Sequence, residues 1–116
     1  KRQELHVLVM ADCSCMADAE GAAAAGADIL ATTLSGYTAH GNPPSEVPDF
    51  DLISQMVAAF PLPVIAEGRF YLPEHVTEAF ARGAFAVVVG SAITRPQDIT
   101  RRFVRAIPTS ATKNAP

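Results

Sequence analysis

The sequence predicts an α/β fold, a parallel sheet covered by helices, and three observations lead there. Short apolar runs alternate with helix-like stretches four times along the 116 residues. The runs are nearly continuous in apolar residues, as in strands that are buried on both faces. A faint repeat of about 55 residues, the length of two βα units, pairs Met10-Ala11-Asp12 with Ile65-Ala66-Glu67. The same repeat pairs the junction Ala25-Gly26-Ala27 with Arg82-Gly83-Ala84.

The elements follow in order. His6 to Ala11 forms the first strand, ended by Asp12. Ser14 is placed to cap a helix from Met16 to Ala25, and Gly26 stops it where a left-handed residue is wanted. Ala27 to Thr32 forms the second strand, and a loop rich in Gly, Pro and Ser runs from Ser35 to Pro48. Asp49 opens the next helix, with Leu52, Ile53, Met56 and Val57 on one face and Phe60 closing it. Pro63 to Ala66 forms the third strand and leads into Glu67-Gly68-Arg69. Pro73 begins another helix at the position where a missing N–H costs nothing, and Gly83 ends it. Ala86 to Val89 forms the fourth strand and stops at Gly90-Ser91. A last helix starts near Pro96 and carries Ile99, Phe103, Val104 and Ile107 as its apolar face. The segment 1–107 therefore reads as four βα units, and 108–116 as a frayed tail with nothing to bury.

Composition narrows the function. A hydrophobic fraction of 49% against 18% charged residues suits a packed core. A net charge of -3 leaves no basic stripe for nucleic acid, and no apolar run approaches the roughly 20 residues of a membrane span. Arg101, Arg102 and Arg105 fall at helical spacing and read as a solvated helix face. The start Lys1-Arg2-Gln3-Glu4 leads directly into a strand-like run, so no leader is expected. Cys13 and Cys15 are too close for an ordinary disulfide, and no further cysteine completes a zinc site; they read as reduced thiols in a cytoplasmic protein.

Two architectures use alternating strands and helices: a small doubly wound sheet, and half of a (β/α)₈ barrel. Asp12, the Thr32-Thr33 pair, Glu67 and Gly90-Ser91 stand at the C-terminal ends of four successive strands. Every strand thus gives a polar group to one rim, as the active-site rim of a barrel requires.

Asp12 has the parity of Leu8 and Met10, and Glu67 that of Ile65; if that side is the interior of a barrel, the two carboxylates face one another across its mouth. Such a pair can divide acid and base roles. Asp12 is equally suited to capping its βα turn; Glu67 is a poorer cap, and Gly68 beside it lets a ligand approach the backbone. Gly90-Ser91 before a short helical turn offers N–H groups to an anion. Arg69 and Arg95, in the loops after the last two strands, are candidates to join it there. Tyr37 is suited both to stacking on a sugar and to packing on the rim. His6, His40 and His75 share no metal-like spacing.

The runs Met10-Ala11-Asp12-Cys13-Ser14, Thr32-Thr33-Leu34-Ser35-Gly36-Tyr37-Thr38, Ile65-Ala66-Glu67-Gly68-Arg69 and Val89-Gly90-Ser91-Ala92-Ile93-Thr94-Arg95-Pro96 stand in one register. Together they resemble the bacterial N-acetylmannosamine-6-phosphate 2-epimerases over nearly all of the chain. The resemblance implies a (β/α)₈ barrel of which this chain holds strands five to eight, the N-terminal half-barrel being a missing partner. It implies a cytoplasmic isomerase of sialic acid and amino sugar catabolism, homo-oligomeric, without metal or organic cofactor, that inverts C2 of a phosphorylated amino sugar. On the matched positions it assigns Asp12 and Glu67 to the catalytic network, Arg69 to substrate, and Gly90-Ser91 with Arg95 to phosphate. The lysine that the family places on its third strand has no counterpart: Lys1 and Lys113 stand at no strand end. Leu72 also stands where the family tends to have a better helix cap. The rivals are a non-catalytic phosphosugar-binding half-barrel and another phosphosugar barrel enzyme.

Overall fold

A computed structural model of the chain describes residues 5–108. The expected tail after Pro108 and the start Lys1-Arg2-Gln3-Glu4 lie outside the described residues. The elements run β1 (Met10–Asp12), α1 (Met16–Ala24), β2 (Ile29–Ala31), α2 (Phe50–Ala59), β3 (Val64–Glu67), α3 (Pro73–Ala81), β4 (Ala86–Val88), α4 (Ser91–Thr94) and α5 (Pro96–Arg105).

The four strands form one parallel sheet in sequential order, with Ala11 beside Leu30, Leu30 beside Val64, and Ala66 beside Val87. α1, α2 and α3 cover one face of it. Leu30, Val64 and Ala66 from the strands meet Ala19, Leu52, Ile53, Met56 and Ala79 from these helices in the core. Each fully buried Leu, Ile, Met or Val side chain contributes about 1.5–3 kcal/mol relative to an exposed one. The opposite face carries Met10, Ile65, Glu67, Ala86 and Val88, with Met10 51% and Val88 39% exposed. A doubly wound sheet has a reversal of strand order and helices on both faces. Among the described residues there is no reversal, and α1 to α3 share one face.

Helix ends follow from particular residues. Gly26 and Gly83 take φ of 87° and 91°, the left-handed conformation that costs glycine least. Each completes the same C-terminal motif. Gly26 N–H bonds Ala23 C=O and Ala27 N–H bonds Ala22 C=O; Gly83 and Ala84 do likewise with Phe80 and Ala79. The next N–H in each copy, of Asp28 and of Phe85, then donates to Val9 C=O just before β1 and to Val64 C=O in β3, 2.8 Å in both cases. The repeat in the sequence is therefore a repeated helix-to-strand junction. Asp49 caps α2 by accepting from the Leu52 N–H at 3.0 Å, and prolines open α3 and α5.

Three expectations are corrected, and the exposure of α5 is a further finding. The first strand is short: β2 is three residues long, so only Met10–Asp12 find ladder partners, and His6 turns with φ 51°. The cap of α1 is Cys15, not Ser14. Asp18, in the first turn, instead accepts from both the Ser14 N–H (2.8 Å) and its hydroxyl (2.5 Å), one residue before the cap. The apolar face of α5 is not buried; Phe103 is 74% exposed. A helix after β4 covers the groove between β4 and the strand beside it, and β4 is the edge of this sheet. Finally, Arg102 leaves the solvated face, donating to Tyr71 C=O (3.0 Å) and Ala92 C=O (3.2 Å) with its guanidinium 5.5 Å from the Tyr71 ring centre.

Candidate active site

The C-terminal ends of the strands meet in a cleft of about 260 Å³ lined by Thr33, Tyr37, Glu67, Gly68, Arg69, Phe70, Tyr71, Val88, Gly90 and Ser91. A hollow of about 640 Å³ shares Tyr37, Arg69 and Tyr71 with it. Glu67 lines the smaller cleft and not the larger space, so the smaller cleft is the chemical candidate.

Glu67 is held twice by the pair that follows β2. Thr32, buried, donates its hydroxyl to the Glu67 C=O (2.9 Å) and accepts the Glu67 N–H (3.0 Å), which extends the β2–β3 pairing past the strand end. Thr33 faces the other way, as alternation along an extended chain requires. Its hydroxyl stands 2.9 Å from Asp12 Oδ1 and 3.1 Å from Glu67 Oε2. Asp12 thus turns to Thr33, and both carboxylates converge on one side as the parity predicts.

Gly68 and Arg69 follow with φ of 105° and 63°. A non-glycine residue in that region is strained, and the surroundings must hold it there. Arg69 is only 8% exposed. It donates to Ser35 C=O (2.7 Å) and Val47 C=O (2.8 Å), and its guanidinium carbon lies 5.2 Å from the Tyr37 ring centre. Arg69 therefore binds the two ends of the β2–α2 loop together while lining the cleft. Gly36 takes φ 76°, a conformation that strains a side chain, and a Cβ there would also come within 2.9 Å of that guanidinium, so glycine suits the closure of the loop on Arg69.

The same loop rests on Asp49, which accepts from Ser35 Oγ (2.6 Å) and Asn42 Nδ2 (2.7 Å) as well as from the helix it caps. Burial opposes its charge. The hydrogen bonds from Asn42, Ser35 and Leu52, with the charge of Arg69, outweigh that and hold its carboxyl below the usual carboxylate range. Cys13 is buried under the rim, and burial above all, with Asp18 nearby, pushes its thiol up to about 11; it behaves as an inert packing residue.

Of the residues expected at a site, the fold brings Glu67, Gly68, Arg69, Tyr37, Gly90 and Ser91 to the cleft, with Asp12 joined to it through Thr33. Tyr37 stays 61% exposed above it. Arg95 is not brought in: its side chain is 65% exposed and lies 3.9 Å from Asp98. Missing from the expectation are Thr33 as the link between the carboxylates and the Ser35–Asn42–Asp49 anchor. Thr33 stood on the predicted rim, but only the alignment of three strands shows what its hydroxyl meets. Among the described residues no group of three or more His, Cys, Asp or Glu is placed to hold a metal ion. Among them, too, no helix is long and apolar enough to cross a membrane.

With this geometry in hand, similarity to known proteins is informative. Residues 1–109 match the NanE family, N-acetylmannosamine-6-phosphate epimerase. The chain is 50% identical over 104 residues to a protein of Caldanaerobacter subterraneus subsp. tengcongensis named N-acetylmannosamine-6-phosphate 2-epimerase, covering 90% of this chain and 44% of the relative. It is 48% identical over 111 residues to the bifunctional enzyme NanE/NanK of Brucella melitensis biotype 1, covering 94% and 21%. The solved N-acetylmannosamine-6-phosphate 2-epimerase from Clostridium perfringens superposes with a TM-score of 0.84 at 41% identity, covering 91% of this chain and 47% of that one. The chain therefore spans less than half the length of these relatives.

Proposed function

The chain belongs to the N-acetylmannosamine-6-phosphate epimerase family, and from that premise we propose that it supplies strands five to eight of a (β/α)₈ barrel that epimerises N-acetylmannosamine 6-phosphate at C2. The observation that carries this reading is the meeting of Asp12 and Glu67 at Thr33, beside a cleft whose far wall is Gly90-Ser91. Sequential strand order and helices on one face support the barrel, whose interior would be the bare face.

The reaction asks for little beyond proton transfers. The C2 hydrogen of the open-chain sugar lies next to the C1 aldehyde, so its removal leaves an enolate that a base and nearby donors must stabilise. Inversion returns a proton to the opposite face. Glu67 would serve one face from this half of the barrel, with Asp12 behind it through Thr33. The family's third-strand lysine would come from the four βα units that complete the barrel. The first turn at Ser91 leaves N–H groups without intrahelical acceptors, which suits phosphate. Arg69 already lines that cleft, Arg95 would have to leave Asp98 to join, and Tyr37 would cover the sugar. No metal or organic cofactor is needed for these steps. The free thiols of Cys13 and Cys15 and the family resemblance support a cytoplasmic setting. The bare face and the open β1 and β4 edges suit pairing with further βα units and assembly as a homo-oligomer.

The test is to incubate the complete protein carrying these residues with N-acetylmannosamine 6-phosphate in D₂O. Proton NMR should show deuterium at C2 and the gluco epimer accumulating. Binding without exchange would instead make this a phosphosugar-binding module. Exchange only with a different phosphosugar would keep the fold and change the reaction.

A further inference from the structure

The junction of α4 and α5 leaves one backbone group without its helical partner. In an α-helix the Ala92 C=O would accept from the N–H four residues on, but that residue is Pro96, which has none. The Arg95 N–H, one position nearer, is committed to Ser91 C=O at 3.3 Å. Arg102, half-buried on α5, supplies the donor instead, its Nη2 standing 3.2 Å from Ala92 C=O. Its Nη1 donates to Tyr71 C=O at 3.0 Å, and its guanidinium carbon lies 5.5 Å from the Tyr71 ring centre.

The two carbonyls belong to opposite walls of the cleft. Tyr71 follows β3 and lines the cleft with Glu67, Gly68 and Arg69; Ala92 follows Ser91, which lines it from the end of β4. The ladder between these strands runs only as far as Glu67 beside Val88. Beyond that point the Arg102 guanidinium bridges the β3–α3 loop and α4. A guanidinium holds its N–H groups in one rigid plane, so two acceptors bound to it are fixed relative to one another. Both acceptors are neutral, whereas Arg82, Arg95 and Arg101 lie against carboxylates. Arg102 stands with Tyr71 and Ser91 along a hollow of about 300 Å³ that shares those two residues with the cleft. Asp98 lines the same hollow and is engaged by Arg101 at 2.6 Å.

We propose that Arg102 is a positioning residue: its planar fork sets the spacing between the β3–α3 loop and α4, and with it the affinity of the cleft for a phosphate monoester dianion. It acts through Tyr71 and Ala92 and does not touch the sugar. Its effect on turnover rests on the epimerase reading, in which the phosphate lies beside Gly90-Ser91 and the reacting C2 hydrogen lies at Glu67. A grip on a group that does not react is equally strong before and during proton transfer, so weakening it raises KM and leaves kcat.

The experiment compares the complete protein with Arg102→Lys, which keeps the charge without the fork, and Arg102→Gln, which loses both. Calorimetry with inorganic phosphate should show affinity lowered by about tenfold in Arg102→Lys, the scale of one hydrogen bond to a charged group, and by at least as much in Arg102→Gln. KM for N-acetylmannosamine 6-phosphate should rise by the same factor with kcat little changed. Thermal melts should place the Tm of Arg102→Lys near that of the wild type, so that this variant carries the test even if Arg102→Gln folds poorly. Wild-type phosphate affinity and KM in Arg102→Lys would overturn the proposal by showing that charge alone suffices. A fall in kcat at unchanged KM, or a joint loss of Tm, kcat and affinity in Arg102→Lys, would overturn it as well, the second outcome marking a purely structural arginine. A wild type without C2 exchange whose phosphate affinity still depends on the fork would overturn the epimerase reading alone.

Discussion

The two faces of the sheet solve opposite problems. On the covered face Leu30, Val64 and Ala66 are buried to 1% exposure or less under α1, α2 and α3, and the core is complete within the chain. On the bare face Met10 and Val88 remain 51% and 39% exposed, yet its C-terminal end carries the polar contacts that join Asp12, Thr33 and Glu67. The lesson is that one set of strands provides stability through one face and chemistry through the other. The first needs only this chain, and the second needs something opposite it.

The largest effect expected from this contrast is complete loss of activity. A polypeptide of these 116 residues alone should incorporate no deuterium at C2 of N-acetylmannosamine 6-phosphate, because nothing stands opposite Glu67. In sedimentation at micromolar concentration it should self-associate through the exposed β1 and β4 edges. Measurable exchange, or a compact monomer, would break the comparison by showing that the bare face is sufficient or covered in another way.

Substitutions in the two faces sharpen it. Met56→Ala, deep in the covered side, should cost about 2–5 kcal/mol by urea unfolding. Val88→Ala should cost about 1–2 kcal/mol in the complete protein, where the barrel interior buries it, and little in the isolated polypeptide. Equal costs in both settings would mean that the bare face is never covered.

The smallest effect concerns the loop at the boundary of the two faces. The Asp49 carboxyl is held below its unfolded value, so it contributes stability above the ordinary aspartate pKa of about 3.9, and that contribution disappears as pH falls through its lower folded value. Asp49→Asn should therefore flatten this part of the acid limb in a series of thermal melts. It should also cost about 0.5–2 kcal/mol near neutral pH for the weakened cap and loop anchor. An acid limb unchanged by the substitution would assign the low-pH loss to other carboxylates.

Local chemistry was legible in the sequence wherever one residue decides the backbone. Gly26 and Gly83 as left-handed stops, Pro73 and Pro96 as openers and Asp49 as a cap all act within four residues, and each falls where its chemistry indicates. The parity argument also placed Asp12 and Glu67 together, because alternation along a strand survives a short error in its ends. What escaped depends on residues far apart in sequence. Thr33 meets partners 21 and 34 positions away, and Arg69 reaches back 34 residues to Ser35, so neither role has a local signature. The apolar stripe of α5 indicated a helix correctly, but its exposure was not legible, since periodicity reports an apolar face and not what lies against it. Arg95 and Arg102 both left their expected places: Arg95 lies beside Asp98, and Arg102 donates to carbonyls 31 and 10 residues away, at Tyr71 and Ala92.

The most direct measurement is C2 exchange by the complete protein with Glu67→Gln, a change that keeps the shape and hydrogen-bonding size of the side chain while removing its ability to take a proton. Turnover and deuterium incorporation at C2 should both fall by about 10²-fold or more, with phosphosugar binding little changed. Near-normal exchange in that variant would contradict the account, leaving the meeting of carboxylates at Thr33 as a device that holds the rim together and performs no proton transfer.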